Sequence, residues 1–175
     1  MRKVERLEFA DFAKIVDAYK KESDRAAAVL AAAFLESFLG DYLRAFFVDD
    51  PEPAKLLEEN RLLGSFGARA QVAYAFGLVT PAVASDLRYI GKIRNLFAHD
   101  ISELSFSSPR VKDLCGNLSA AKSVPIPGGG EVAEADPRQQ YLGAFAATVV
   151  FLYNGRLERE RQQAGREAAD SHHAP

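Results

Sequence analysis

Apolar residues return every three or four positions through most of this chain, the period of a buried helix face. Six or seven helical segments can be read this way, and no convincing strand. From Phe9 to Lys21, the residues Phe9, Phe12, Ala13, Val16 and Tyr19 fall near one face. The strongest segment is ESDRAAAVLAAAFLESFLGDYLRAFFVDDPEP. Ser23 is placed to cap it, Asp24 suits the positive end of its dipole, and Asp50-Pro51 ends it. Leu30, Phe34, Phe38, Tyr42 and Phe46 run at spacing four, with Leu35, Leu39, Leu43 and Phe47 beside them. So wide an apolar face predicts the central helix of the fold. The alanine clusters at 26–28 and 31–33 leave little bulk, which predicts a second helix packed closely against them.

PAKLLEEN reads as a short helix. Ser65 or the Gly64–Gly67 turn starts the next one, which runs to about Phe76 and stops at Gly77. These glycines are helix punctuation rather than a phosphate loop, because no Gly-Lys-Ser/Thr follows and no strand precedes. Thr80 caps a helix with Pro81 at its first position that extends to His99. Leu87, Ile90, Ile93, Arg94 and Phe97 share its predicted inner side. Residues Ser108 to Leu118 form a further short helix, and Ser119–Asp136 reads as a long Pro/Gly loop. The last helix begins near Pro137 and carries Tyr141, Leu142, Phe145, Val149 and Leu152. Short connections between helices of this length predict an all-α, compact antiparallel bundle. One domain covers 1–154, followed by a charged helical extension fraying into a disordered tail at 155–175.

Composition narrows the function. With 175 residues, 48% of them apolar, the chain can bury a sizeable core. Twenty-two basic against 24 acidic residues give a net charge of −2, which disfavours an obligate coater of DNA or RNA while leaving room for a local basic patch. The single Cys115 excludes an intrachain disulfide and a cysteine-based zinc site, and fits a reducing cytoplasm. Charges interspersed through MRKVERLEFADFAK rule out the apolar core of a signal peptide. The longest apolar runs, Ala26–Leu35 and Gly143–Tyr153, fall well short of the roughly 20 residues of a membrane span, so no membrane association is expected. His172 and His173 lack further ligands nearby, so neither metal nor cofactor is expected.

The chemistry-bearing stretch is KIRNLFAHD, Lys92 to Asp100, which holds the one histidine outside the tail. On an ideal helix Asn95 and His99 share a side, whereas Arg94 and His99 stand about 140° apart. His99 could move a ribose 2′-hydroxyl proton while Arg94 stabilises charge on the phosphate and Asn95 orients either group. A structural reading of the same residues has Arg94 paired with Asp24, Glu36 or Asp41 on the central helix, and His99 bonded to a helix-end carbonyl. Spacing favours the structural reading.

Two family resemblances meet at these residues. RNLFAH resembles the Arg-x4-His motif of HEPN domains, all-α bundles that usually dimerise through the motif face. In active members the arginine and histidine carry metal-independent RNA cleavage, commonly with a polar residue after the arginine. The resemblance implies those roles for Arg94, His99 and Asn95. More of the chain, from about Ser23 to Asn154, resembles the mannitol operon repressor (MltR-like) family. The residues concerned are SDRAAAVLAAAFLESFLGDYLRAFF, LLGSFGARAQVAYAFGLVTPAVASDLRYIGKIRNLFAHD, the Pro/Gly loop and the final helix. That resemblance implies a regulatory role.

Direct DNA binding is not expected. The best candidate for a recognition helix, Pro81–His99, carries only Arg88, Lys92 and Arg94 as bases, and RLERERQQAGR alternates sign. The leading expectation is a cytoplasmic, homodimeric transcriptional regulator acting through a protein partner. Its predicted contact surface is the end of the Pro81–His99 helix and the loop Ser119–Asp136. The alternative is a metal-independent endoribonuclease using Arg94 and His99 with Asn95 in support.

Overall fold

The computed structural model describes residues 9–100, 103–119 and 136–171. Most of the predicted loop and the His172-His173 pair lie outside them. Among the described residues there are seven α-helices and no strand: α1 Phe9–Tyr19, α2 Asp24–Arg44, α3 Pro51–Ala54, α4 Phe66–Ala75, α5 Pro81–His99, α6 Pro109–Cys115 and α7 Pro137–Ser171. A 3₁₀ turn, Lys55–Leu57, continues α3. The all-α bundle read from the periodicity is the observed architecture.

The helix starts follow local chemistry. Ser23, Ser65 and Thr80 accept hydrogen bonds from the backbone N–H three residues on, at 3.2, 3.2 and 3.3 Å. Each satisfies a donor that the first helical turn cannot. Asp50, read as part of the end of the central helix, instead caps α3 by accepting from Glu52 N at 2.7 Å. The central helix stops at Arg44. Beyond it, Ala45, Phe46 and Phe47 bond back three residues, tightening the last turn and using its carbonyls. Gly77 closes α4 at φ +67°, a left-handed conformation that glycine adopts without penalty.

α2 packs against α4, α5 and α7, which makes it the hub. The face it buries is only part of the predicted one. Ala27, Ala28, Ala31, Ala32, Leu35 and Leu39 are at most 2% exposed, whereas Leu30 and Phe34 of the spacing-four row are 51% and 47% exposed. A row at spacing four drifts about 40° per step around the helix, so it cannot stay beneath neighbours throughout. The alanines also allow neighbouring backbones nearer than phenylalanine would. The Tyr141 hydroxyl reaches the Ala28 carbonyl at 2.7 Å across this surface. Phe34 remains on the flank, stacked on Phe38 and edge-on to Phe145.

By length and composition α2 could cross a membrane, contrary to the reading that every apolar run is too short. Here its alanine–leucine stripe is enclosed by other helices of the chain.

α7 runs unbroken through Asn154 and Gly155. Gly155 lies against the Tyr42 ring, where a Cβ would come within 3.0 Å. One turn on, Arg159 sits 5.5 Å above the Phe46 ring.

Three arginines tie the helices together through backbone carbonyls. Arg69 of α4 donates to Leu63 O, Glu36 O and Leu57 O, each at 2.8 Å. Gly40 leaves room for this guanidinium, since a Cβ there would lie 3.1 Å from Nη1. Arg138 of α7 donates to Asp24 Oδ1 at 2.6 Å and to the carbonyls of Tyr19 and Glu22 at 2.9 and 2.5 Å. Asp24 also accepts from Phe106 N at 2.9 Å. Arg25 of α2 donates to Phe97 O and Asp100 O at the end of α5.

Two outcomes test this account. Arg69→Ala removes three hydrogen bonds at once, two of them to carbonyls outside the α-helices, and is expected to cost about 3 kcal/mol in urea unfolding, far more than an exposed arginine would. Cys115 is buried, and burial, reinforced by Asp136, pushes its thiol up to about 12 from an ordinary 9.0. Folding therefore retains a proton that the unfolded chain releases, so this contribution to stability holds below pH 9 and falls as pH rises toward 12. A thiol-reactive dye at pH 8 should label the native chain only as fast as it opens.

Candidate functional site at the α4–α5 groove

α5 has two unlike faces. Leu87, Ile90, Ile93 and Phe97 are fully buried at steps of three and four. On the opposite side Arg88, Lys92, Asn95 and His99 fall within about 60° of one another at 100° per residue. Arg94 leaves that stripe by about 120° and turns toward α2.

The candidate residues are consequently divided. Arg94 Nη2 stands 3.8 Å from Glu36 Oε2, with both side chains about one-third exposed. Of the three carboxylates proposed as partners from the sequence, Glu36 meets it. Asp24 is taken by Arg138, and Asp41 lies 3.7 Å from Arg44. Arg94 also lies close enough to Tyr141 to oppose slightly the upward push that burial gives the buried phenol. Asn95 is exposed, as is His99 one turn further on. The carbonyls of Phe97 and Asp100 at the α5 terminus are engaged by Arg25, a residue with no signal in the local sequence, in the place where His99 was expected to bond.

Arg94 and Asn95, but not His99, line a groove of about 480 Å³ between α4 and α5. Phe66, Ala70, Ala84 and Leu87 make its apolar floor; Gln71, Tyr74 and Ser85 add polar atoms, and Arg88 and Lys92 edge the α5 side. Among the described residues no Asp or Glu contributes to the lining. Arg88 and Lys92 lie 5.5 and 5.1 Å from the centre of the Tyr89 ring, an arrangement that holds two like charges on neighbouring turns. Two glycines shape the walls. A Cβ on Gly91 would sit 3.1 Å from Phe66 Cδ1, so glycine lets that ring close the floor. A Cβ on Gly67 would meet nothing within 4 Å, because it faces the open groove.

A second feature escaped the sequence reading. Asp86, fully buried on α5, accepts from Ser119 N at 2.6 Å and Ser119 Oγ at 2.9 Å. It fastens the segment beyond α6 to the first half of α5. Among the described residues no group of three or more His, Cys, Asp or Glu is placed to hold a metal ion.

No protein-family model matches the chain, and no curated protein matches it either. Solved structures do. A chain in the X-ray structure of the MtlR–HPr complex from Escherichia coli superposes with a TM-score of 0.56 at 20% identity, covering 86% of this chain and 98% of that one. YggD from Shigella flexneri 2a, described as a possible transcriptional regulator, gives a TM-score of 0.59 at 14% identity, covering 83% of this chain and 97% of that one. The chain shares the fold of these two structures. At these identities the likeness is one of fold, and it spans nearly the full length of both neighbours.

The two groove glycines should respond oppositely to the same change. Gly91→Ala is expected to lower thermal stability because the buried Phe66 ring must shift. Gly67→Ala meets open space and gains helix propensity, raising stability by up to about 1 kcal/mol. Melting curves of the two variants beside the parent chain decide this.

Proposed function

We propose that this chain is a cytoplasmic transcriptional regulator of the mannitol operon repressor type, working as a homodimer through contact with another protein. The observation that carries the reading is its fold likeness to a chain of the MtlR–HPr complex, supported by the likeness to YggD. HPr is accordingly the first partner to test. The contact surface we favour is the exposed end of α5 around Asn95 and His99. Tyr74 and Phe76 at the end of α4 are also exposed, Phe76 by 76%, and offer apolar anchors of the kind that dominate protein interfaces.

Sequence-specific DNA binding is not part of this reading. Arg88 and Lys92 on the outer face of α5 are few against the six to ten phosphate contacts of a typical duplex binder. RNA cleavage by Arg94 and His99, with Asn95 in support, is the alternative that the same residues allow. It is less favoured because the guanidinium faces Glu36 while the imidazole belongs to the opposite stripe.

Calorimetric titration of the purified chain with HPr from its own host is expected to give saturable binding that His99→Ala or Asn95→Ala weakens. In parallel, single-stranded RNA incubated with the chain in EDTA should remain intact. Cleavage by the parent chain that disappears in His99→Ala would replace the regulator with the nuclease. A salt-dependent shift of promoter DNA at physiological ionic strength would restore direct DNA binding.

A further inference from the structure

We propose that the α4–α5 groove is a binding site for a small organic anion, with a phosphate or carboxylate head at Arg88 and Lys92 and a flat apolar body on the floor between Phe66 and Tyr74. The inference concerns a ligand site and holds whether or not HPr is the protein partner.

Charge is the first support. The chain is net acidic, yet among the described residues no carboxylate lines the groove. Among the described residues, neither Arg88 nor Lys92 has a carboxylate within ion-pairing distance; their contacts are the Tyr89 ring and, for Arg88, Ser85 Oγ at 3.4 Å. Arg94 is in a different state, with Glu36 opposite it, so its charge is largely answered within the fold. That difference places the anionic head toward Arg88 and Lys92. One helical turn separates these two, so a single head group can be shared between them.

Shape is the second support. About 480 Å³ falls inside the roughly 300–1,000 Å³ usual for small-molecule sites. The floor is apolar, so an inorganic ion alone would leave it wet, while a flat ring would cover it. Gln71, Ser85 and Asn95 supply side-chain donors and acceptors at the walls, enough to orient a ligand. Gly67, one of the lining residues, adds no side chain to the groove. An acidic protein surface laid across the rim would satisfy the cations but not the recessed floor. A nucleic-acid strand would need a succession of stacking rings, whereas the lining presents only Tyr74 and the buried Phe66.

The test uses the full chain, labelled with 15N, at 150 mM salt. Phenyl phosphate, benzoate, phenol and inorganic phosphate are titrated separately. Expected are saturable shifts at the amides of Gly67, Gln71, Gly91 and Asn95 with phenyl phosphate or benzoate, the stronger of the two identifying the head group. Phenol and inorganic phosphate should each bind at least about tenfold more weakly than that ligand. Arg88→Gln combined with Lys92→Gln should weaken binding by a similar factor. Gly67→Leu, which adds a side chain to the lining without altering charge, should weaken it too. Phenol binding as tightly would reduce the site to an apolar cleft, and inorganic phosphate binding as tightly would reduce it to surface charge. Scattered shifts, or undiminished binding in both variants, would overturn the assignment. So would amide shifts at the groove with RNA or an acidic peptide but none with the small anions.

Discussion

Backbone carbonyls that a helix cannot satisfy at its own end or in a turn must find donors elsewhere, and this bundle depends on how they do so. Arg25, Arg69 and Arg138 each send two or more N–H groups to carbonyls on other segments. A guanidinium suits the task because its donors lie in one plane and it stays charged throughout the ordinary pH range. Each also joins elements distant in sequence: Arg25 binds α2 to the end of α5, Arg69 binds α4 to α2 and to the 3₁₀ turn, and Arg138 binds α7 to the α1–α2 connection. The helix ends are thus fixed in relation to one another, and the surfaces between them acquire definite shapes.

Close approach at α2 is the companion constraint. Alanines on its buried face let α5 and α7 settle close to its backbone, and the large side chains that enclose this hub come mostly from those neighbours: Ile90, Ile93, Phe97, Tyr141 and Phe145. α5 is thereby committed on one side to the core, which leaves Arg88, Lys92, Asn95 and His99 facing outward together. Against α4, with glycines at 67 and 91, the same helix forms a groove with an apolar floor and a cationic edge.

The sequence neighbours Arg94 and His99 are divided by this arrangement. The first turns inward to Glu36, and the second remains exposed at a helix end whose carbonyls Arg25 engages. A pair meant to act on one phosphodiester would need to converge, and within one chain these two side chains lie on different sides of α5. The fold shared with the MtlR and YggD structures places the same helices side by side over nearly the whole length of those chains.

Periodicity and caps determined a good deal in advance. Ser23, Ser65, Thr80-Pro81, Gly77 and Pro137 marked helix limits because capping and breaking are local, decided within a few residues. The inner line Leu87, Ile90, Ile93, Phe97 was equally visible, since burial on one side of a helix leaves a period of 3.6. The close packing expected at the alanine clusters is met at Ala27, Ala28, Ala31 and Ala32, while Ala33 is exposed. Tertiary packing alone decided which part of a helix surface is covered when apolar residues surround it, and so Leu30 and Phe34 stayed open while alanines were enclosed. It alone decided that Arg94 meets Glu36, that Arg138 takes Asp24, and that Asp86 binds Ser119. These partners stand tens of residues apart, and the sign of a charge says nothing about which distant carboxylate or carbonyl will face it. The groove belongs to the same class: its residues come from two helices, and only their packing turns two ordinary stripes into one site.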